Sequence, residues 1–490
     1  MDAAKLSDRL RAMVRKPVSL PANPEDQLCE PRNERNEGDE GRKAVTIQPA
    51  GLHTPEAVLG GNWQRRDGVS CFVVERRESP DAAYGREPLK SIATRVAEAS
   101  AESALVMGGM PGCPPFLFFD LETTGLNGGA GTYAFLVGCG MFDDEGGFIT
   151  RQFVLLRHAD ERQLLQGVGA EFSRAGALVS FNGKSFDAPL IETRHLYHRL
   201  EWRAGGLPHL DVLHPARRFW GHQPQGAAGD GSCSLGTLER SVLGARRRGD
   251  VPGFEIPARY FQFVRSGDAR PLAGVLEHNR LDLLSLAGLT ARLLYLIRRG
   301  PTAARRAREV LALGRLYARC GLESRAHEAY ECAINFGDSR NRGGVLMAQR
   351  GASMVHNGAS MAQQGASMAP IKIEALRSLA YLSRRARRFE EAAGYWRRLL
   401  EIPGCPPPVI REATEALAIH HEHRAHDLHA AKAFALRSLI AAVEAEAPRS
   451  RARDLAARHR LARIERKMDK SRGLPLTFEP VPAMRPEGAT

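Results

Sequence analysis

The sequence predicts a mixed α/β domain followed by an all-α region of helical repeats. Between residues 116 and 200 the chain reads strand, hairpin, strand, helix, strand and helix, an order that builds a layered α/β sheet. A long helix with an apolar face covers residues 276–297. Beyond residue 301, small and large apolar residues recur at helical spacing in three successive units.

Taken in order, residues 1–18 place Leu6, Leu10, Met13 and Val14 on one face of a short helix. Residues 19–58 are rich in Pro, Asn, Glu and Gly and predict a disordered linker, so the first segment is 1–58. Residues 59–110 predict a small β-containing accessory element, with a strand at Ser70–Glu75 and a helix over 91–106. The principal domain is expected over 111–299. It opens with the apolar run Phe116-Leu117-Phe118-Phe119, which leads into Asp120-Leu121-Glu122-Thr123-Thr124-Gly125-Leu126. Side chains alternate along a strand, so Asp120 and Glu122 share a face.

After a Gly-rich turn at 127–132, strands are expected at Tyr133–Met141 and Phe148–Leu156, joined by a hairpin at Asp143–Gly147. A helix over Glu161–Arg174 precedes a buried strand at Ala177–Phe181. That strand exits into Asn182-Gly183-Lys184-Ser185-Phe186-Asp187, and Pro189 opens a helix. Asp187 is thus either a site residue at a sheet edge or a helix N-cap. Residues 221–234 form a Gly-rich loop, and Arg246-Arg247-Arg248 a basic loop that either touches phosphates or is solvated. His278 and Asp282, at i and i+4, share a helix face as a surface pair or as part of a site.

The totals narrow the function class. The 490 residues call for two or three domains. The net charge of +13 is unevenly placed: residues 1–300 carry 37 Lys and Arg against 36 Asp and Glu, residues 301–490 carry 32 against 20. The basic C-terminal part suits an anionic partner such as nucleic acid, or follows from Arg-rich composition alone. The eight cysteines form no C-x-x-C pair and read as reduced thiols of a cytoplasmic protein. The N-terminus lacks an apolar signal core, and no apolar run approaches the ~18 residues of a membrane helix.

Two neighbouring carboxylates repel unless a cation neutralises them, and Mg²⁺ or Mn²⁺ suits oxygen ligands. Asp120, Glu122, Asp187 and Asp282 come from a strand, a strand exit and a late helix, with His278 beside the last. Such a set can hold two divalent cations roughly 3.5–4 Å apart for phosphodiester hydrolysis, with an imidazole to take a proton from water.

The ordered set F-x-D-x-E-T-T-G-L, F-N-G-K-S-F-D and H-x-x-x-D resembles the DEDD exonucleases of the ribonuclease H-like superfamily, and more narrowly the YprB-type group with a helical repeat tail. The resemblance implies a ribonuclease H-like mixed sheet flanked by helices. It implies Asp120, Glu122, Asp187 and Asp282 as metal ligands, His278 as general base, and Thr123, Thr124, Leu126 and Asn182 as seats for the terminal nucleotide. One departure is evident: His278 stands four residues before Asp282, where the superfamily usually places a Tyr.

In the tail, Leu313-Gly314, Tyr317, Ala326, Tyr330 and Ala333 resemble the tetratricopeptide pattern. Leu379-Ala380, Ala392, Trp396 and Leu399 repeat it, and Leu417-Ala418, Ala430 and Phe434 do so more loosely. Residues 301–450 are therefore expected as tetratricopeptide-like repeats. They are interrupted at 340–370 by a flexible low-complexity insertion carrying Gly-Ala-Ser-Met at Gly351, Gly358 and Gly365. The repeats can receive a protein or nucleic acid. Residues 451–490 predict a basic helix and a disordered end. The expectation is a metal-dependent 3′→5′ exonuclease acting on DNA or RNA. The alternative is a nucleic-acid-binding or scaffold protein that does not cut.

Overall fold

The apolar run that opens the principal domain forms the centre of the sheet. Strand β5, Phe116–Thr123, turns Phe116 and Phe118 to one side, against Phe148, Val179, Leu283 and Leu286. Leu117 and Phe119 turn to the other, against Leu164, Leu165 and Phe172. Asp120 and Glu122 continue the first side, as the alternation requires.

The computed structural model describes residues 54–66, 69–125, 131–221, 233–336, 357–443 and 451–471. The N-terminal helix and linker to residue 53, Leu126, residues 340–356 and the chain end from 472 lie outside them. All the elements described belong to one unit, Gly51–Thr490.

The remaining strands are β1 (Asn62–Arg66), β2 (Val69–Glu78), the short ribbon β3 (Ala83–Tyr84) and β4 (Glu87–Pro88), β6 (Ala134–Phe142), β7 (Phe148–Val154), β8 (Ala177–Ser180) and β9 (His209–Asp211). Seven of them make one sheet in the order β1-β2-β7-β6-β5-β8-β9. The β1 to β5 side is antiparallel, whereas β5, β8 and β9 run parallel. The helices of this domain that bear on the site are α1 (Leu89–Glu98), α2 (Glu161–Phe172), α3 (Asp187–Tyr197), α4 (Leu213–Phe219), α5 (Ile256–Ser266) and α6 (Arg270–Arg299).

Two differences from expectation have clear causes. Residues 59–110 do not form a separate accessory element. Strand β2 pairs with β7 from Phe72 opposite Val154 to Glu78 opposite Phe148, so the hairpin extends the main sheet and covers backbone groups that β7 would otherwise expose as an edge. Strand β9 is only three residues long and carries little periodicity of its own. Its place is set by parallel pairing to β8.

Helix α6 crosses the sheet on the Asp120 side, and from Leu283 to Leu294 every residue is buried. It is buried all round because the tail packs on its outer side: one apolar cluster runs from Phe116 and Leu286 through Leu313, Tyr317 and Trp396 to Leu417. At this junction the Glu309 carboxylate accepts from Trp220 Nε1 at 2.8 Å and from Arg292 Nη2 at 3.0 Å.

The tail comprises α7 (Ala307–Arg319), α8 (Glu323–Ile334), α9 (Asn357–Arg385), α10 (Phe389–Leu400), α11 (Pro407–His420), α12 (Leu428–Val443) and α13 (Arg451–Ser471). Successive helices pack on one another. Gly314 lets Tyr330 approach, since a Cβ there would lie 2.6 Å from the ring. The flexible insertion expected over 340–370 is corrected in its second part. The Gly358 and Gly365 units lie within α9, because Ala, Met and Gln favour helix and the segment continues into the apolar turns from Ile371. The basic helix α13 also spends charge on folding. Arg463 and Lys467 bind Glu422 at 2.7 and 2.8 Å. Burial pushes the Glu422 carboxyl up, but these bonds outweigh it and hold it at about 2.

Candidate metal centre

The parallel strands β5, β8 and β9 end at one edge of the sheet, and each delivers an acid there. Strand β5 delivers Asp120 and Glu122. From β8 the chain enters the loop at 181–186, with Asn182 in the left-handed region at φ 68°. A Cβ on Gly183 would lie 2.5 Å from the Ser180 side chain. Strand β9 ends at buried Asp211, whose carboxylate accepts from the backbone N–H of Asn182 at 2.8 Å, Lys184 at 3.2 Å and Leu213 at 3.1 Å. Asp211 thereby pins the loop from which Asp187 enters α3. Asp187 occupies the first position of that helix, and no backbone N–H donates to its carboxylate among the described residues, so it does not act as a cap.

Helix α6 closes the site from the opposite side. Ligand atoms of Glu122, His278 and Asp282 all lie within 4.8 Å of one another. Asp120 and Asp187 couple to the same group. Burial, and then the charges of Asp282, Glu122 and Asp187, push the Asp120 carboxyl well above the usual range. Burial followed by Asp282, Asp187 and Asp250 does the same to Glu122. Burial, with Asp211 second, raises Asp187 to about 7. The fold thus brings together five of the sequence-derived candidates: Asp120, Glu122, Asp187, His278 and Asp282.

Of the other candidates, Thr123, Thr124 and Asn182 are among the described residues and Leu126 is not. Thr123 Oγ1 donates to the Gly125 carbonyl at 3.0 Å. Thr124 Oγ1 accepts from the Tyr133 N–H at 3.0 Å, so both hydroxyls close the turn after β5. Half-buried Asn182 is held through its backbone by Asp211.

Five participants escaped sequence reasoning: Asp211, Arg247, Asp250, Gln152 and Asn279. Arg247, expected in a solvated loop, is nearly buried and binds three acids: Glu239 at 2.7 Å, Asp250 at 3.2 Å and Asp282 at 2.5 Å. Burial alone would lower its guanidinium, but Asp282 and Glu239 reverse this and keep it firmly charged. Asp250 also meets His278 Nδ1 at 2.8 Å, while His278 Nε2 faces Asp282 Oδ2 at 3.4 Å. Both ring nitrogens of His278 thus face a carboxylate, with Asp250 the nearer. No local pattern announces these residues, since each acts through a partner remote in sequence.

Removing Arg247 would leave Glu239, Asp250 and Asp282 without their cation. Arg247→Met is expected to destabilise the metal-free protein by about 3–5 kcal/mol, the cost of breaking a buried pair, read from the midpoint of chemical denaturation. Added Mn²⁺ is expected to recover part of that loss by neutralising Asp282.

The donor set fits hard divalent cations: closely spaced carboxylate oxygens whose protons are held tightly because burial and mutual repulsion disfavour bare charge. A mixed sheet whose edge gathers these acids beneath a crossing helix is the architecture of ribonuclease H-like nuclease domains. Residues 117–294 match the family model RNase_H_2 of the RNase_H superfamily, which makes this part of the chain a nuclease-like domain. The chain is also 42% identical over 176 residues to the uncharacterized protein YprB of Bacillus subtilis (strain 168). That match spans 35% of this chain and 40% of the length of YprB. Among the described residues, no helix is long and apolar enough to cross a membrane.

Proposed function

We propose that the protein is a divalent-metal-dependent exonuclease that removes nucleotides from the 3′ end of DNA or RNA. The observation that carries this reading is the convergence of Asp120, Glu122, Asp187 and Asp282, from three separate elements, into one electrostatically coupled group beside His278. These four acids would hold two cations, Mg²⁺ or Mn²⁺, which when bound supply charge for the attacking and leaving oxygens of a phosphodiester. His278 Nε2 takes the proton from the attacking water, and Asp250 holds the imidazole in the required tautomer. Thr123, Thr124, Leu126 and Asn182 seat the terminal nucleotide. The 3′→5′ polarity rests on resemblance to the DEDD exonucleases. The helical tail offers a surface for a further protein or nucleic-acid partner.

The test is incubation of the purified chain with Mn²⁺ or Mg²⁺ and single-stranded DNA or RNA labelled at either end. Stepwise loss from the 3′ end, stopped by a chelator, is expected. Intact substrates in every combination would sink the proposal. One observation favours the reading of a binding or scaffold protein without catalysis: Arg247 already supplies a cation to Asp282. Salt-dependent nucleic-acid binding without metal-dependent shortening would select that reading instead.

A further inference from the structure

Asp120 is held by a chain of side-chain amides that begins on the backbone of α6. The Leu276 carbonyl accepts from Gln152 Nε2 at 2.7 Å, and the same nitrogen donates to Asn279 Oδ1 at 2.9 Å. Asn279 Nδ2 then donates to Asp120 Oδ2 at 2.9 Å and to the Asp120 carbonyl at 3.3 Å. Gln152 and Asn279 are both fully buried.

The polarity of this chain is fixed at each link. A carbonyl at Leu276 requires a donor, so Gln152 must turn its NH₂ towards it, and that NH₂ requires the oxygen of Asn279. Only the NH₂ of Asn279 is then left for Asp120. Among the described residues Gln152 Oε1 has no hydrogen-bond partner, so the orientation is kept although it leaves a buried acceptor unmet. Turned the other way, Gln152 would set its oxygen against two further acceptors.

The sheet is built to admit the chain. Asp120, Gly138 and Gln152 stand opposite one another across β5, β6 and β7. Gly138, in the middle, provides the floor on which Asn279 lies. A Cβ there would come within 2.1 Å of Asn279 Oδ1, 2.8 Å of Cγ and 2.9 Å of Nδ2. Residue 138 must therefore lack a side chain for α6 to reach Asp120 with an amide.

We propose that Asn279, oriented by Gln152 and seated on Gly138, is a positioning residue that occupies Asp120 Oδ2 and presents Oδ1 to a divalent cation. The inference deepens the metal-dependent reading of the site and rests on it. Among the described residues Asp120 Oδ1 has no hydrogen-bond partner, and the carboxylates coupled to Asp120 are Asp282, Glu122 and Asp187. Asn279 shares its helix with His278 and Asp282, so one rigid element sets the last acid directly and the first acid through an amide. Partners that orient metal ligands in this way typically change affinity 10–100-fold when removed.

The experiment is a Mn²⁺ titration of the full chain, with free Mn²⁺ read by electron paramagnetic resonance. Asn279→Leu keeps the volume and deletes the amide, and Gly138→Ala pushes the amide off its floor without touching an acid. Both are expected to weaken Mn²⁺ binding by about 10-fold or more, while Asn279→Leu, which leaves Asp120 Oδ2 unmet, lowers the thermal midpoint of the metal-free protein but keeps its unfolding transition cooperative. Should Gly138→Ala fold poorly, Gly138→Ala combined with Asn279→Ala relieves the clash and is expected to bind as weakly as Asn279→Leu. Folded variants that bind Mn²⁺ within about twofold of wild type overturn the positioning role alone. A wild-type protein that binds no Mn²⁺ overturns the metal reading and the positioning role with it.

Discussion

Asp120→Asn is expected to abolish metal-dependent shortening of a nucleic acid while raising the thermal midpoint of the metal-free protein. The loss follows from removing a charged ligand that every step of the proposed reaction needs, and about 10³-fold or more is the expected scale for losing such transition-state stabilisation. The gain follows from the surroundings of Asp120. Burial and three neighbouring acids raise its carboxyl well above the usual range, so its charge opposes folding when no cation is present. Asparagine removes that charge and still offers an oxygen to Asn279 Nδ2. Sites built for function store this kind of conflict. The check is calorimetry in the presence of a chelator, run beside the nuclease assay. A variant that retains activity contradicts the ligand role, and one that loses thermal stability contradicts the electrostatic account.

The second large effect is a dependence of metal-free stability on pH that divalent cations remove. Burial and Asp211 raise Asp187 to about 7, against an unfolded value near 3.9. An acid that binds its proton more tightly when folded supports folding fully below its unfolded pKa. That contribution is lost as pH rises through the folded value. Asp120 and Glu122 are shifted in the same direction and add to the effect. The thermal midpoint of the chelated protein is expected to fall between about pH 4 and about pH 8 relative to an Asp187→Asn variant. Saturating Mn²⁺ at about pH 8 is expected to close the gap, because the cation then neutralises what the proton neutralised at low pH. Conversely, Mn²⁺ affinity is expected to fall as pH drops below about 7, since proton and cation compete for the same oxygens. Parallel stability curves for the two proteins would refute the coupling.

Asp120 with Glu122, and His278 with Asp282, could be paired from the sequence because local geometry alone aligns them. Strand alternation puts Asp120 and Glu122 on one face, and one helical turn puts His278 beside Asp282. The edge that unites them was legible in outline, since Ala177–Phe181 reads as a strand exiting into Asp187. What escaped was the support. Arg246-Arg247-Arg248 looks like any solvated basic loop, yet Arg247 turns inward to three acids. Asn279 is an ordinary polar residue beside a candidate histidine, and its role depends on Gln152, 127 residues away. In the tail, Gly314 admits the ring of Tyr330, and the Gly358 and Gly365 units, with no apolar period of their own, lie within a helix.

The sequence by itself determined the alternating core of β5, the acids it carries to the sheet edge, the helical face of His278 and Asp282, and the change from α/β to all-α after residue 300. Each of these follows from a periodicity of two or of 3.6 residues, which a chain displays without reference to anything distant. Only the tertiary structure decided that β1 and β2 extend the main sheet, that the tail continues the core of the nuclease-like domain across α6, and that Asp211, Arg247, Asp250 and Asn279 surround the acids. Those outcomes depend on where an exposed edge, a buried charge or an orphaned amide finds its partner. Such partners are chosen by packing in three dimensions and leave no periodic trace in the chain.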